Sequence, residues 1–306
     1  MRICSLLPSA TEIVYALDLG DQLVGVSHAC DYPDDAATKP VVSQSVRQIT
    51  HLSSEEIDGI VRQARANSNP LYWIDGDLLR ELKPDLIITQ ELCEVCAIDS
   101  GSVFETSAKV LDYQPEILTI RPNSVADILQ NVRNVASSAG VFQRGDEVVD
   151  SLQGRIQAVV NGVAKEGTRP RVLCLDWLDP LRNTGQWVPE LVELAGGAER
   201  LAVAGGLSRE LTWEEIIDYA PEYLMVMPCG YGPDRVRQDA SEKLTHLKGW
   251  DELPAVKLGQ VFLFDGRIPT RHGPRVVDVL EGLAAAMHPQ HLADITSYEV
   301  FVKERS

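Results

Sequence analysis

The sequence predicts an α/β protein made of two Rossmann-like lobes with parallel sheets, joined by one long helix. Three observations support this prediction. The chain has 306 residues, 44% of them hydrophobic and 24% charged, which is more than a single ordinary core uses. Short apolar segments alternate with helical ones, and the pattern of the first half returns in the second.

The first lobe begins with two strands and a helix. Residues 3–7 form a short apolar strand, and Ser9 followed by Glu12 has the spacing of a capping box at a helix start. Residues 23–27 form the second strand, which leads into the loop 28–33. The alternation of strand and helix is therefore present from the first residues.

The rest of the first half continues this alternation. Ser53 and Glu56 form a second capping box, and residues 82–90 predict a helix end, a turn and then a continuous apolar strand of the kind buried in parallel sheets. Residues 116–120 give a fourth strand, and helical periodicity covers 124–139 and 147–164. The chain is therefore divided into an N-terminal lobe (1–142), a bridging helix (143–166) and a C-terminal lobe (167–306).

The second half repeats the plan. Residues 171–175 resemble the opening strand, and a helix begins near Pro189. Thr212 and Glu215 form a third capping box, and residues 219–227 match the pattern of 82–90. A last strand covers 261–264. Two such lobes would leave a ligand cleft between them, and open α/β sheets bind ligands at the carboxyl ends of their strands.

By this rule, the residues that directly follow the parallel strands form the predicted ligand site. We call these positions the strand exits. Neutral imidazole is a common metal ligand, flat macrocycles suit aromatic faces, and a helix start offers backbone N–H groups to anionic or amide groups. For each histidine, an ordinary hydrogen-bonded or solvated role is the competing interpretation. The predicted ligand-binding residues are Ser9, Thr11, His28, Gln90, Trp177, Trp187 and His272.

Four cysteines also follow strands. Cys93 and Cys96 form a C-x-x-C pair, and Cys30 and Cys229 leave one strand in each lobe. Four thiolates can hold zinc or an iron–sulfur cluster, and a C-x-x-C pair can also be a redox dithiol. The alternative is that these are small packing groups, which is the interpretation we adopt for Cys4 and Cys174 inside strands.

Composition limits the partners. Lys and Arg number 28 against 45 Asp and Glu, so the formal net charge is −17, which argues against nucleic acid and anionic membrane surfaces. No apolar run approaches the ~20 residues of a membrane span, and residues 1–8 lack the features of an export signal. These features predict a cytoplasmic protein with reduced cysteines and no membrane insertion.

Several motifs resemble the cobalamin and iron-chelate substrate-binding proteins of ABC importers. They are residues 5–12, 25–28, 30–33 and 83–87, and the similarity extends over almost the whole chain. Residues 90–97, 187–191 and 227–230 are most similar to a branch without a signal peptide that is usually called cobalamin-binding protein. The resemblance implies two lobes on one rigid helix, little hinge closure and no catalysis.

Two hypotheses of function follow, and a third is weaker. The first is a non-catalytic protein that holds a corrinoid or related metal chelate, for delivery to an ABC transporter or, given the expected location, to an intracellular acceptor. The second is a metal or iron–sulfur carrier or sensor that uses the cysteines. The third is a thiol redox enzyme; no phosphate-binding loop, nucleophile elbow or H-E-x-x-H motif supports catalysis.

Overall fold

A computed structural model describes residues 1–47, 51–67, 69–90, 100–164 and 167–289, together with the backbone of 298–300. The chain divides into two compact units. Unit 1 comprises Met1–Pro122 and Ala126–Ser151, and unit 2 comprises Asn123–Val125 and Leu152–Ser306. The predicted fold class is confirmed, since each unit is α/β with a mostly parallel sheet. The predicted lobe boundaries and the cleft between the lobes stay predictions.

Unit 1 is built on a six-stranded sheet. Its strands are β1 (Ile3–Ser5), β2 (Leu23–Ser27), β3 (Val41–Ser45), β4 (Tyr72–Ile74), β5 (Leu86–Gln90) and β6 (Glu116–Ile120). The order is β4-β3-β2-β1-β5-β6, and only the edge strand β4 is antiparallel to its neighbour. The carboxyl ends of the five parallel strands therefore lie along one edge.

The pairing of β2 with β3 contains an irregularity. Val26 pairs with Val41, but the next residue, Ser27, pairs with Ser43, so Val42 is an extra residue on β3. Such a bulge changes the direction of the strand locally and re-aims the groups that follow it. It lies directly before the loop that begins at His28.

The helices of the first part of the chain are α1 (Pro8–Ala16), α2 (Ser54–Ala66), α3 (Gly76–Leu82), α4 (Ser100–Val110), α5 (Val125–Ser138) and α6 (Phe142–Val163). The predicted capping box of α2 is confirmed: the Glu56 N–H donates to Ser53 Oγ at 3.2 Å, and the Ser53 N–H donates to Glu56 Oε2 at 2.8 Å. Helix α6 begins earlier than predicted because Gly140, at φ +72°, ends α5 and lets a new helix start at once. It runs from unit 1 into unit 2.

Unit 2 is also built on a mainly parallel sheet. Its strands are β7 (Arg171–Leu178), β8 (Leu181–Asn183), β9 (Ala198–Glu199), β10 (Tyr223–Val226), β11 (Val261–Phe264) and β12 (Tyr298–Val300). The order is β12-β11-β10-β7-β8, with β9 parallel to β7, and β8 and β12 antiparallel to their neighbours. The remaining helices are α7 (Val188–Leu194), α8 (Trp213–Tyr219), α9 (Pro233–Lys243), α10 (Pro254–Lys257) and α11 (Val276–Met287).

Each unit has its own buried core. In unit 1, Cys4, Val42 and Ile87 belong to one fully buried cluster, and in unit 2 Cys174 is also fully buried. Trp250 anchors the core of unit 2, and the Trp213 ring stacks on it at 6.4 Å. The packing expected of Cys4 and Cys174 is therefore observed.

Helix α6 is held to α11 within unit 2. Arg155 donates to Glu281 at 2.8 and 2.5 Å and to Asp278 at 2.6 Å.

Among the helices that the structure describes, none combines the length and hydrophobicity needed to cross a lipid bilayer.

Candidate functional site

The strand exits of unit 1 contain a buried cluster of small polar side chains. The Thr11 hydroxyl lies 2.9 Å from Ser5 Oγ, 3.1 Å from Cys30 Sγ and 3.3 Å from the Leu7 carbonyl oxygen. Thr11 is fully buried, and Cys30 is 4% exposed. These contacts tie α1 to β1 and to the loop after β2, so the side chain of Thr11 fixes the exits rather than facing solvent.

The start of α1 differs from the sequence prediction. The N-cap is Leu7, without a side-chain cap, and Pro8 occupies the first turn. Proline is pre-organised for the first helical turn, so the helix starts before Ser9 and the capping box expected at Ser9 and Glu12 does not form. Both residues are buried, and the Thr11 N–H already donates to the Leu7 carbonyl oxygen at 3.2 Å. Ser9 and Thr11 are buried, and the ligand contact expected of them stays a prediction.

His28 lies at the exit of β2 and is exposed. Its Nδ1 is 3.2 Å from the Ser43 carbonyl oxygen and 3.5 Å from Ser27 Oγ, while its backbone N–H donates to the same carbonyl at 2.9 Å. The Tyr72 ring lies 5.8 Å from the imidazole centroid, tilted by 33°. Partial desolvation lowers the imidazole pKa, although the Ser43 contact opposes the shift. The Ser43 carbonyl and the Tyr72 ring therefore hold the His28 imidazole in a fixed orientation.

Gln90, the last residue of β5, is 4% exposed. Among the predicted ligand-binding residues of unit 1, His28 alone is exposed. The role of Gln90 as a ligand contact stays a prediction.

In unit 2, the exit of β7 has an aromatic stack, defined here as Trp177, Tyr231 and Arg235. The Trp177 and Tyr231 ring centroids are 5.2 Å apart, and the Arg235 guanidinium carbon lies 4.8 Å from the Tyr231 centroid. The indole N–H of Trp177 donates to the Asp179 carbonyl oxygen at 3.0 Å, and Arg235 Nε donates to Asp239 at 2.7 Å. The three side chains are half-buried. The hydrogen bonds of Trp177 and Arg235 fix the orientation of the stack.

Trp187 and His272 form a second aromatic pair in unit 2, and both are buried. Trp187 is 2% exposed and its indole N–H donates to the Pro269 carbonyl oxygen at 2.9 Å. His272 is 3% exposed, and its ring meets the Trp187 ring edge-on at 5.6 Å. Burial lowers the pKa of His272 to about 4. In this arrangement both rings serve as packing groups for the loop after β11.

The loops after β10 and β11 cross at a glycine. A Cβ atom on Gly266 would lie 1.8 Å from the Pro228 carbonyl oxygen, so no other residue fits without moving the backbone.

Near the start of β7, Glu199 is a buried carboxylate that accepts hydrogen bonds from the Cys174 and Leu201 N–H groups, each at 2.9 Å. Burial raises its pKa to about 7, and these backbone N–H donors oppose the rise.

The predicted cysteine centre lies only partly within the described residues. Cys93 and Cys96 fall outside them. Cys30 is buried and contacts Thr11 in unit 1, and Cys229 is half-buried in unit 2, where its N–H donates to the Asp176 carbonyl oxygen at 2.9 Å. Across the described residues there is no group of three or more His, Cys, Asp or Glu side chains that could hold a metal ion. A zinc or iron–sulfur centre has no support here.

The sequence profile of the periplasmic binding protein family matches residues 3–268. The chain belongs to this family.

Other periplasmic binding proteins and their relatives resemble it along nearly the whole length. An uncharacterized ABC transporter substrate-binding lipoprotein of Bacillus subtilis, YvrC, is 24% identical over 94% of this chain and 80% of its own. A vitamin B12-binding protein of Vibrio parahaemolyticus is 22% identical over 91% of this chain and 86% of its own.

Two solved periplasmic binding proteins have the same fold. The heme-binding protein RhuT from Roseiflexus sp. RS-1 gives a TM-score of 0.71 at 23% identity, covering 94% of this chain and 98% of its own. The vitamin B12-binding protein BtuF of Vibrio cholerae gives 0.66 at 22% identity, covering 94% and 96%. The resemblance to substrate-binding proteins is thus confirmed at the level of family and fold.

The expected cytoplasmic location is wrong. The family is one of periplasmic proteins, one relative is a lipoprotein, and both solved proteins are periplasmic. The expectation rested on the first residues of the sequence, which do not decide the compartment. The arguments built on that compartment, reduced cysteines and an intracellular acceptor, lose their basis.

Sequence reasoning missed several groups at the strand exits of this periplasmic binding protein. The Ser43 carbonyl and the Tyr72 ring beside His28 come from two strands, β3 and β4, that the sequence analysis did not identify. Trp73, which follows Tyr72 on β4, is 44% exposed. The adjacent aromatics Tyr72 and Trp73 are the one signal that could have marked this strand.

Proposed function

We propose that this chain is a non-catalytic receptor for a metal chelate of the tetrapyrrole type, a cobalamin-like corrinoid in the first place and a heme in the second. The observation that carries the proposal is the alignment with vitamin B12-binding proteins over more than nine-tenths of the chain. Heme is included because periplasmic heme-binding proteins share the fold.

The chemistry of the strand exits supports this ligand class. Corrinoids and hemes are broad, flat and largely apolar at their faces, and aromatic side chains are good partners for such faces. The aromatic stack offers two rings and a guanidinium at one exit of unit 2, and Tyr72 lies beside His28 in unit 1. A small polar solute such as a sugar would be served better by convergent hydrogen-bonding side chains than by this set.

Isothermal titration calorimetry tests the proposal. The purified protein is titrated with cyanocobalamin, aquacobalamin and ferric protoporphyrin, and we expect a dissociation constant in the micromolar range or below for at least one, which corresponds to about 8 kcal/mol of binding free energy or more. Absence of binding to all three at micromolar concentrations would remove the proposal.

A pair of tryptophan variants makes the test specific. Trp177→Ala removes a ring of the aromatic stack and should weaken binding by about tenfold, since one aromatic contact contributes on the order of 1 kcal/mol. Trp213→Phe keeps the packing on Trp250 in the core and should leave the affinity unchanged. Equal losses in the two variants would indicate general destabilisation instead of a ligand contact.

The proposed partner is an ABC transporter that accepts the chelate from this receptor. Support comes from the relative described as an ABC transporter substrate-binding lipoprotein. Deletion of the gene in its native host should lower uptake of labelled cobalamin or heme, and a copy carrying Trp177→Ala should restore uptake less than the wild-type copy. Uptake that is unchanged by the deletion would contradict the transport role.

A further inference from the structure

The two histidines of the predicted site have opposite environments. His28 is exposed at the exit of β2, and His272 is 3% exposed against the Trp187 ring. A histidine that binds a metal must present a nitrogen lone pair to the incoming ion. His272 does not, because its ring is buried against Trp187. His28 is the one of the two that meets this requirement.

The contact with Ser43 fixes which nitrogen of His28 carries the proton. A backbone carbonyl oxygen can only accept a hydrogen bond, so the Nδ1 atom at 3.2 Å from it must be the N–H donor. In a neutral imidazole the other nitrogen, Nε2, then carries the lone pair. Histidine ligands of metals are commonly oriented by this kind of N–H contact to a backbone carbonyl.

The ring is also held in a fixed orientation. Ser43 accepts both the backbone N–H and the ring N–H of His28, and the Tyr72 ring packs at 5.8 Å. This fixed orientation reduces the cost of bringing Nε2 to a metal.

We propose that His28 Nε2 is an axial ligand to the metal of the bound chelate, and that the receptor favours chelates with an exchangeable axial position. This inference rests on the proposed function. The step is a ligand exchange: the Nε2–metal bond forms, a metal–water bond breaks, one water molecule leaves, and no electron is transferred. It assigns the metal contact to unit 1.

The visible spectra of two cobalamins test the exchange. Aquacobalamin has a replaceable water on cobalt, whereas the cyanide of cyanocobalamin resists displacement by imidazole. With the wild-type protein we expect the visible bands of aquacobalamin to shift on binding and those of cyanocobalamin to stay in place. Ferric protoporphyrin serves as the parallel probe, with a Soret shift as its readout.

Matched variants identify the nitrogen responsible. His28→Ala should abolish the aquacobalamin shift and weaken its binding by about tenfold or more, with the affinity for cyanocobalamin unchanged. His28→Gln should behave like His28→Ala, and His272→Ala, with its thermal midpoint recorded, should retain the shift. The exposed position of His28 makes loss of folding an unexpected result, and the cyanocobalamin affinity reports on it directly.

The outcomes separate the inference from the proposed function. Binding of aquacobalamin or ferric protoporphyrin without a spectral shift, or a shift that persists in His28→Ala, overturns the axial ligand and leaves the receptor function standing. Absence of binding to both cobalamins and to ferric protoporphyrin overturns the receptor function and this inference together.

Discussion

His28 and His272 lie after parallel strands of the two units, β2 and β11, yet their surroundings differ in almost every respect. His28 is exposed and its ring donates to a backbone carbonyl at 3.2 Å. His272 is 3% exposed, with a pKa lowered to about 4 by burial. The same residue type at comparable strand exits therefore becomes a candidate ligand in one unit and a packing group in the other.

The packing of the exit loops explains the contrast. In unit 2 two contacts hold the loop after β11 in place. Gly266 packs against the Pro228 carbonyl, and the Trp187 indole N–H donates to the Pro269 carbonyl at 2.9 Å. In unit 1 the small hydroxyls of Ser5 and Thr11 fill the space under the loops. The side chain that follows β2 is then left on the surface.

The largest expected effect is on the crossing in unit 2. Gly266→Ala places a methyl group 1.8 Å from a backbone oxygen, and we expect the free energy of unfolding to fall by about 3 kcal/mol or more. Gly154→Ala is the control, because nothing lies within 4 Å of its added methyl in α6, and it should raise stability by about 0.5–1 kcal/mol. Urea unfolding measures both. A Gly266→Ala protein as stable as the wild type would show that the unit 2 exits are not rigidly pinned.

Glu199 gives the next effect, through pH. Its pKa in the folded protein, about 7, lies above the ordinary value of 4.5, so between these values the folded protein binds more protons than the unfolded chain. Stability from this group is therefore fully present below pH 4.5 and is lost as pH rises through 7. The loss amounts to about 3 kcal/mol.

Unfolding free energies of the wild type and Glu199→Gln across this pH range measure that contribution. The difference between the two proteins should change with pH between 4.5 and 7 and be constant above pH 8. If the difference in unfolding free energy between the two proteins does not vary with pH, the Glu199 carboxylate is hydrated. The contrast between buried strand exits in unit 2 and exposed ones in unit 1 would then weaken.

Thr11 tests the filled space of unit 1. Thr11→Val keeps the shape but removes the hydroxyl that contacts Ser5 and Cys30, and we expect a loss of about 1–2 kcal/mol. Thr38→Val, at the exposed end of a short 3₁₀ helix, should change stability by less than about 0.5 kcal/mol. Thermal unfolding compares the pair, and equal effects would show that the buried polar cluster does not support the exits.

The smallest expected effect concerns a feature that both units share. Ser53 and Thr212 each accept an N–H at 3.2 Å in a complete capping box, so Ser53→Ala and Thr212→Ala should each cost about 1 kcal/mol. Chemical denaturation measures the two losses. Clearly unequal losses would show that the difference between the units extends beyond the strand exits to the helix starts.

Local rules predicted the fold well where one residue acts on its immediate neighbours. The predicted limits of β2, β6 and β11 match the structure, as do the capping boxes at Ser53 and Thr212. The failure at Ser9 is also local, because Pro8 alone sets the start of α1. Short edge strands such as β4 and β8 carry too few residues for periodicity to reveal them.

The site was less predictable because burial depends on distant parts of the chain. The sequence identified His28 and His272 equally, and only the loop crossing at Gly266 and the Ser43 carbonyl separate them. Trp187 looked like a ligand platform but is 2% exposed. Such distinctions arise from contacts between residues far apart in sequence, which no local pattern contains.

The extra residue on β3 links strand register to coordination chemistry. Val42 has no partner position on β2, and the pairing after it brings Ser43 opposite Ser27 and its carbonyl to the ring of His28. The register of a neighbouring strand therefore determines which hydrogen-bond acceptor faces the His28 ring.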